Sequence, residues 1–406
     1  MQGKEDFVIL PQSQSILIWI EKIMDTQTIL DYSRRLFKEY DGYRVGSFRQ
    51  RSFSPEILQN ALECLAEDSS GFLRLRTMGK SFEERDIRLI KIGRGNISVL
   101  LWSQMHGDES TATMAICDIL NYLKKTKVEK ITEEILLSLE LFFVPMLNPD
   151  GAARFHRRTA QGIDMNRDAL SLATPEARVL KSIREELQPR FGFNLHDQEL
   201  STVGSTKEIA ALGLLSPSLD HEKTNNDVRT RSNYMASAFA NVMNQFISGK
   251  ITKYDDSFEP RAFGDNMQLW GTSTLLVESG HVLNDPEKNF IRKLNFVGIL
   301  TTLYAIAAKT YDKFETASYV NLPFNGKRAY DVVIRNIVIE YPNGEKTPAD
   351  LGISYQVDTH SELPPKLIDI GDLHSFVGLI EINGKGKSIP QSLLALNQAF
   401  EWEKYF

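Results

Sequence analysis

The pattern of hydrophobic and polar positions becomes regular near residue 88. Arg88-Leu89-Ile90-Lys91-Ile92 reads as a strand, Gly93-Arg94-Gly95-Asn96 as a turn, and residues 97–102 as a second, apolar strand. Met105-His106-Gly107 breaks that run. Over residues 109–124, Met114, Cys117, Leu120 and Leu123 then recur at helical spacing. A buried strand over residues 141–144 closes on the turn Asn148-Pro149-Asp150-Gly151. Thr174 as N-cap and Pro175 at the first helical position open a helix to Leu187. Residues 191–195 form the next strand and end on His196; residues 272–277 form another and end on Glu278. Asp285 and Pro286 start a long final helix reaching about Ala308.

Strands that alternate with helices predict an α/β sheet covered on both faces. In such sheets functional residues gather where strands end, and His106, His196 and Glu278 all stand at such boundaries. Residues 1–50 read as a mostly helical, polar lead-in, and residues 51–318 as the main domain. After Ser318 the texture changes. Residues 331–341 alternate and run into the hairpin signal Pro342-Asn343-Gly344, and strand-like runs follow at residues 353–357, 366–370 and 376–382. Residues 319–406 are therefore expected to form a small β-rich unit of sandwich type.

Composition narrows the function classes. A hydrophobic fraction of 42% in 406 residues supports a sizeable core, and a net charge of −6 argues against a dedicated nucleic-acid binder. Two cysteines, Cys64 and Cys117, cannot build a disulfide scaffold or a four-thiolate metal site and read as buried free thiols. No stretch reads as long and apolar enough to span a bilayer. The apolar run Ile16-Leu17-Ile18-Trp19-Ile20 lacks a basic leading segment and a small-residue cleavage site, so a cytoplasmic location is the expectation.

The chemistry centres on His106-Gly107-Asp108-Glu109. At a strand-to-helix turn, an imidazole and a carboxylate three residues apart can converge on one ion. A catalytic zinc uses three protein ligands, and the best third candidate is His196, which ends a buried strand and precedes Asp197. His156, His221, His281, His360 and His374 sit in polar, irregular or C-terminal contexts.

Taken in order, several segments resemble the zinc carboxypeptidase family, which takes in the digestive carboxypeptidases, the murein peptide amidases and the cytosolic carboxypeptidases. Met78-Gly79-Lys80-Ser81 with Arg85 is similar to the family's entry strand and turn. His106-x-x-Glu109 is similar to its first two zinc ligands, Asn148-Pro149-Asp150-Gly151 to its central loop, and Gly162-Ile163-Asp164-Met165-Asn166-Arg167 to its G-V-D-x-N-R element. His196 takes the place of the third ligand and Leu276-Val277-Glu278 that of the catalytic glutamate, so the likeness spans roughly residues 72–310.

The resemblance implies a mixed, mostly parallel sheet flanked by helices, and one Zn2+ held by His106, Glu109 and His196. It implies Glu278 as the group that takes a proton from water and passes it to the leaving amine. Arg157, five residues before Gly162, would stabilise the developing oxyanion, with Arg158 its rival. Asn166 and Arg167 would grip a terminal carboxylate, and Asp164 would accept the second ring N–H of His106. The family's mobile tyrosine has no clear counterpart: Tyr254 is nearest, while Phe258 and Phe263 lie closer to the expected offset. Asp265-Asn266 is a candidate lining for the side-chain pocket, or a plain turn.

Two departures stand out. Asp108 replaces the arginine of the digestive H-A-R-E, and only 86 residues separate Glu109 from His196. Both are similar to the compact, amidase-like branch. The implied activity is a metallo-carboxypeptidase acting on a peptide or peptide-like substrate with a free carboxylate. The alternatives are an amidase on cell-wall peptides or acyl-amino acids, and an inactive member whose β-rich unit binds a glycan or partner. Oligomeric state is not readable.

Overall fold

The computed structural model describes residues 12–67, 69, 71–355 and 364–406. The chain opens with helices α1 (Gln12–Glu39) and α2 (Pro55–Glu67), then strands β1 (Arg74–Lys80), β2 (Asp86–Gly93) and β3 (Ile97–Ser103). Helices α3 (Thr111–Lys125) and α4 (Lys130–Ser138), strand β4 (Leu139–Val144), helices α5 (Pro149–Ala153) and α6 (Pro175–Leu187), and strand β5 (Phe191–Asp197) follow. Next come the short strands β6 (Thr202–Val203) and β7 (Leu212–Leu215), α7 (Asp227–Asn244), β8 (Ile251–Lys253), α8 (Phe263–Leu269), β9 (Ser273–Ser279), α9 (Asn289–Ala307) and α10 (Ala317–Val320). The C-terminal strands are β10 (Asn325–Gly326), β11 (Ala329–Glu340), β12 (Lys346–Ser354), β13 (Lys366–Gly371), β14 (Val377–Asn383) and β15 (Ser388–Pro390).

Eight strands form one mixed sheet in the order β1-β2-β4-β3-β5-β9-β7-β8. Its centre, β4-β3-β5-β9, is wholly parallel, and antiparallel pairs flank it at β1-β2, β2-β4 and β9-β7. The central strands are apolar runs because both faces are covered. In β3, Val99 and Leu101 join one apolar cluster while Leu100 and Trp102 join the other. The first cluster also holds residues of α1, α3, α7 and α9, and the second holds residues of α6 and α8. The alternation carries over to β5 and β9. Phe193, Leu195, Leu275 and Val277 face the first cluster, which turns Asn194, His196, Leu276 and Glu278 to the other face. After β3 the chain goes to β4 on one side and then to β5 on the other. The carboxyl ends of β3 and β5 thus flank a switch point, where such sheets bind ligands.

Several expectations are corrected. Helix α9 is long and apolar enough to cross a membrane, but 89% of its most apolar stretch is buried inside the protein. It is a core helix, apolar all round because α1, α3 and α7 pack around it. Its first turn begins at Asn289, since Asp285 caps it by accepting from the N–H groups of Asn289 and Phe290. Cys117 is buried, whereas Cys64 is exposed on α2, one position off its apolar face. Helix α3 starts at Thr111, which leaves Glu109 in the turn before it.

Where a sandwich is expected, the C-terminal strands form a single five-stranded sheet, β13-β12-β11-β14 with β15 also on β11. Its apolar side is covered by Leu394, Phe400, Trp402, Tyr405 and Phe406 from the end of the chain, and no second sheet is needed. His360 and Glu362 lie outside the described residues, as does the end of the strand expected at residues 353–357.

Candidate metal centre

Two elements deliver the three candidate ligands. The backbone leaves β3 through Gln104, at φ +50, into the turn that carries His106 and Glu109. His196 stands on β5, the strand beside β3. All three side chains are buried, and their donor atoms lie within 4.8 Å of one another. His106 Nδ1 is 2.7 Å from Glu109 Oε1, and His196 Nδ1 is 2.7 Å from Glu109 Oε2. Two imidazole nitrogens thus close on the two oxygens of one carboxylate.

That donor set suits zinc, which takes neutral imidazole and carboxylate ligands about 2 Å away. His106 Nε2 is 3.0 Å from Asp164 Oδ1. An N–H donated there leaves the Nδ1 lone pair free to bind a metal. His196 Nε2 has no partner among the described residues.

Charge balance at the site is tight. Burial opposes a charge on His106, but Glu109 and Asp164 outweigh it and raise its pKa to about 9. Burial also works against the Glu109 carboxylate, yet His106 and His196 hold it well below the usual range. His196 is pushed down by burial. Arg157 closes the open side, its Nη1 3.0 Å from Glu109 Oε1 and its Nη2 3.1 Å from Asp164 Oδ2. Its side chain is 41% exposed, so it is the site's positive residue that still reaches solvent. Arg158 points elsewhere and donates to Gly162 O.

Glu278 sits opposite His196 on the neighbouring strand β9. Its side chain is partly buried, and Oε2 is buried with no partner among the described residues. Burial and the negative charge of Glu109 push it up to about 8. A divalent cation at the three ligands would act the other way and restore the carboxylate.

The remaining candidates lie around this group rather than in it. Asp164 accepts the Asn166 N–H, and Asn166 Oδ1 accepts the Phe263 N–H at 2.9 Å. Arg167 stands apart from the ligands, with Nε 3.6 Å from Glu259 Oε2. Tyr254 donates to Gln198 Oε1 at 3.1 Å, and burial with the charges of Glu278 and Glu109 pushes its hydroxyl up. Phe258 packs edge-on to His221, and Phe263 is fully buried. Asp265 is 7% exposed, and burial pushes it up to about 6.

Two residues at the site carry almost no sequence signal. Asp197 accepts from Thr111 Oγ1 at 2.6 Å and from Lys288 Nζ at 3.1 Å. Lys288 reads in sequence as an ordinary helix-start lysine, yet it is 1% exposed. The position of Asp197 directly after His196 is the only hint of either.

Imidazoles and a carboxylate at the carboxyl ends of neighbouring parallel strands, beside a partly buried glutamate, form a candidate metal centre in an α/β protein. Residues 58–202 match the family model described as zinc carboxypeptidase. It is similar to "Probable carboxypeptidase 2" of Arthroderma benhamiae, 26% identical over 165 residues, covering 38% of this chain and 31% of the relative. It is also similar to "Carboxypeptidase 2" of Trichophyton rubrum, 28% identical over 152 residues, covering 35% and 28%. The matches thus span about a third of the length of these curated relatives. The fold is similar to a metallo-carboxypeptidase from Burkholderia cenocepacia, with TM-score 0.52 and 15% identity over 64% of this chain and 70% of that one. It is similar too to carboxypeptidase A from Helicoverpa armigera, with TM-score 0.50 and 15% identity over 70% and 81%.

Proposed function

We propose that this chain is a zinc-dependent carboxypeptidase that hydrolyses the C-terminal amide bond of a peptide or peptide-like substrate with a free carboxylate. The observation that carries the reading is Glu278, a partly buried carboxyl beside His196 whose Oε2 is buried without a partner among the described residues. A buried acid without a partner lowers stability, and such groups concentrate where chemistry needs them.

His106, Glu109 and His196 would hold the ion, and zinc bound there supplies Lewis acidity to a substrate carbonyl and to water. Glu278 takes the proton of the attacking water and returns it to the departing amine. Arg157 is anchored by Glu109 and Asp164 but open to solvent, and it donates to the oxygen on which negative charge develops. Arg167 and the amide of Asn166 receive the substrate's carboxylate. Arg167 is paired with Glu259 only at 3.6 Å, a contact that an incoming carboxylate displaces.

Asn194 favours a polar side chain at the substrate's terminus. It lies on the same face of β5 as His196, fully buried, with neither amide atom partnered among the described residues. Gly264 leaves the room beside it, since a Cβ there would lie 3.2 Å from Asn194 Nδ2.

The test combines zinc content with turnover of a peptide panel, a γ-D-glutamyl-diaminopimelate peptide included. Glu278→Gln is expected to keep its zinc and lose about 10²–10⁴-fold in kcat. Turnover of the cell-wall peptide alone would select the amidase reading. Metal-free protein, or equal inactivity of wild type and variant across the panel, would refute both.

A further inference from the structure

Lys288 is a fully buried lysine that the chemistry above does not use. It is the residue before α9, and its φ of +50° lies in the left-handed region where glycine is comfortable and lysine is strained.

The ammonium makes two hydrogen bonds. One goes to Asp197 Oδ2 at 3.1 Å and the other to the backbone oxygen of Ser279 at 3.0 Å. Asp197 and Ser279 are register partners on β5 and β9, and the pair just before them is His196 and Glu278. Lys288 therefore clasps the ends of the two strands one residue beyond the third ligand and the base. Asp197 extends the clasp to β3 and α3. Its side chain accepts from Thr111 at the start of α3, and its N–H donates to Glu109 Oε2 at 3.2 Å. The positive charge also acts on the carboxylates of Asp197 and Glu109 and offsets part of their mutual repulsion.

We propose that Lys288 is a positioning residue that fixes the spacing between ligand His196 and base Glu278 by bridging Asp197 to Ser279. The proposal rests on the reading of His196 and Glu278 given above. A helix anchor with no link to the site would affect stability alone, so the readouts are zinc affinity and the separation of kcat from KM.

Lys288→Met alone strands the buried Asp197 charge, so the decisive variant is the Lys288→Met, Asp197→Asn double. Zinc affinity is measured by competition with a chromophoric chelator, and kinetics on the best peptide of the panel. The double variant is expected to bind zinc about 10- to 100-fold more weakly and to lose at least about tenfold in kcat, with KM within about twofold. Lys288→Arg keeps the charge and both acceptors, and is expected to bind zinc within about threefold of wild type. A folded double variant with wild-type zinc affinity and kcat, whatever its melting temperature, overturns the proposal. If wild type binds zinc but hydrolyses no substrate, the hydrolase reading fails, and the zinc titration still decides the role of Lys288.

Discussion

Gly107 lies between two candidate ligands, and its replacement by alanine tests how closely the site's loops are set. A Cβ at Gly107 would lie 2.0 Å from the carbonyl carbon of Gly151 and 2.3 Å from the nitrogen of Ala152. Carbon atoms rest about 3.5 Å apart, so the turn carrying His106 and helix α5 would have to part by about 1.5 Å. Both contacts are backbone, so no side-chain rotation relieves them. Gly107 is also tied on both sides, its N–H to Arg157 O at 3.3 Å and its oxygen to Gln104 Nε2 at 2.8 Å. The displacement therefore reaches His106, Glu109 and Arg157 together. Overpacking of this kind costs about 3 kcal/mol, and ligand sets tolerate only about 0.5 Å of misplacement. Gly107→Ala is expected to lower the urea unfolding free energy of chelator-treated protein by that amount and to weaken zinc binding at least about tenfold. Unchanged stability together with unchanged zinc affinity would refute the reasoning. The digestive members carry alanine here, so the test bears on the loop spacing of this chain rather than on a rule of the family.

Other outcomes follow from buried charge. Arg292 and Asp118 form an ion pair with both side chains at 0% exposure, and Tyr40 and the Val45 N–H add to Asp118, so Arg292→Met is expected to cost about 3–5 kcal/mol in urea unfolding. Zinc affinity should not change, because neither residue touches the ligands. Asp265, raised from 3.8 to about 6 by burial, binds its proton more tightly folded than unfolded. Its contribution is fully present below pH 3.8 and is lost as pH rises through about 6, a swing of about 3 kcal/mol. Asp265→Asn should abolish that swing and make the protein more stable than wild type at pH 8. Parallel pH profiles of unfolding for the two proteins would show the assignment to be wrong.

The central sheet was legible in the sequence because β3, β5 and β9 are covered on both faces and so read as unbroken apolar runs. Helix α6 was legible from its Thr174 cap and Pro175. Helix α7 left no trace in the pattern. Its Ser232, Ser237 and Asn241 satisfy themselves by hydrogen bonds to Thr274 O, Asn233 O and Ser318 Oγ, which blurs the apolar period. Strands β6, β7 and β8, of two to four residues, are too short to show alternation. At the site, residue type and spacing point to the ligands and Glu278. The partners that orient them do not show, since the clasp of Lys288 on Asp197 and Ser279 depends on a register that exists only once β5 and β9 have paired.

The order of strands has a consequence for how the chain matures. All three ligands are present once β5 lies beside β3, whereas Glu278 arrives on β9, about eighty residues later in synthesis. On the function proposed above, capture of an ion and competence for hydrolysis would therefore be separate milestones. On that reading a half-built sheet would carry the ligands while it still lacks the group that moves protons, and pairing of β9 with β5 would complete the site.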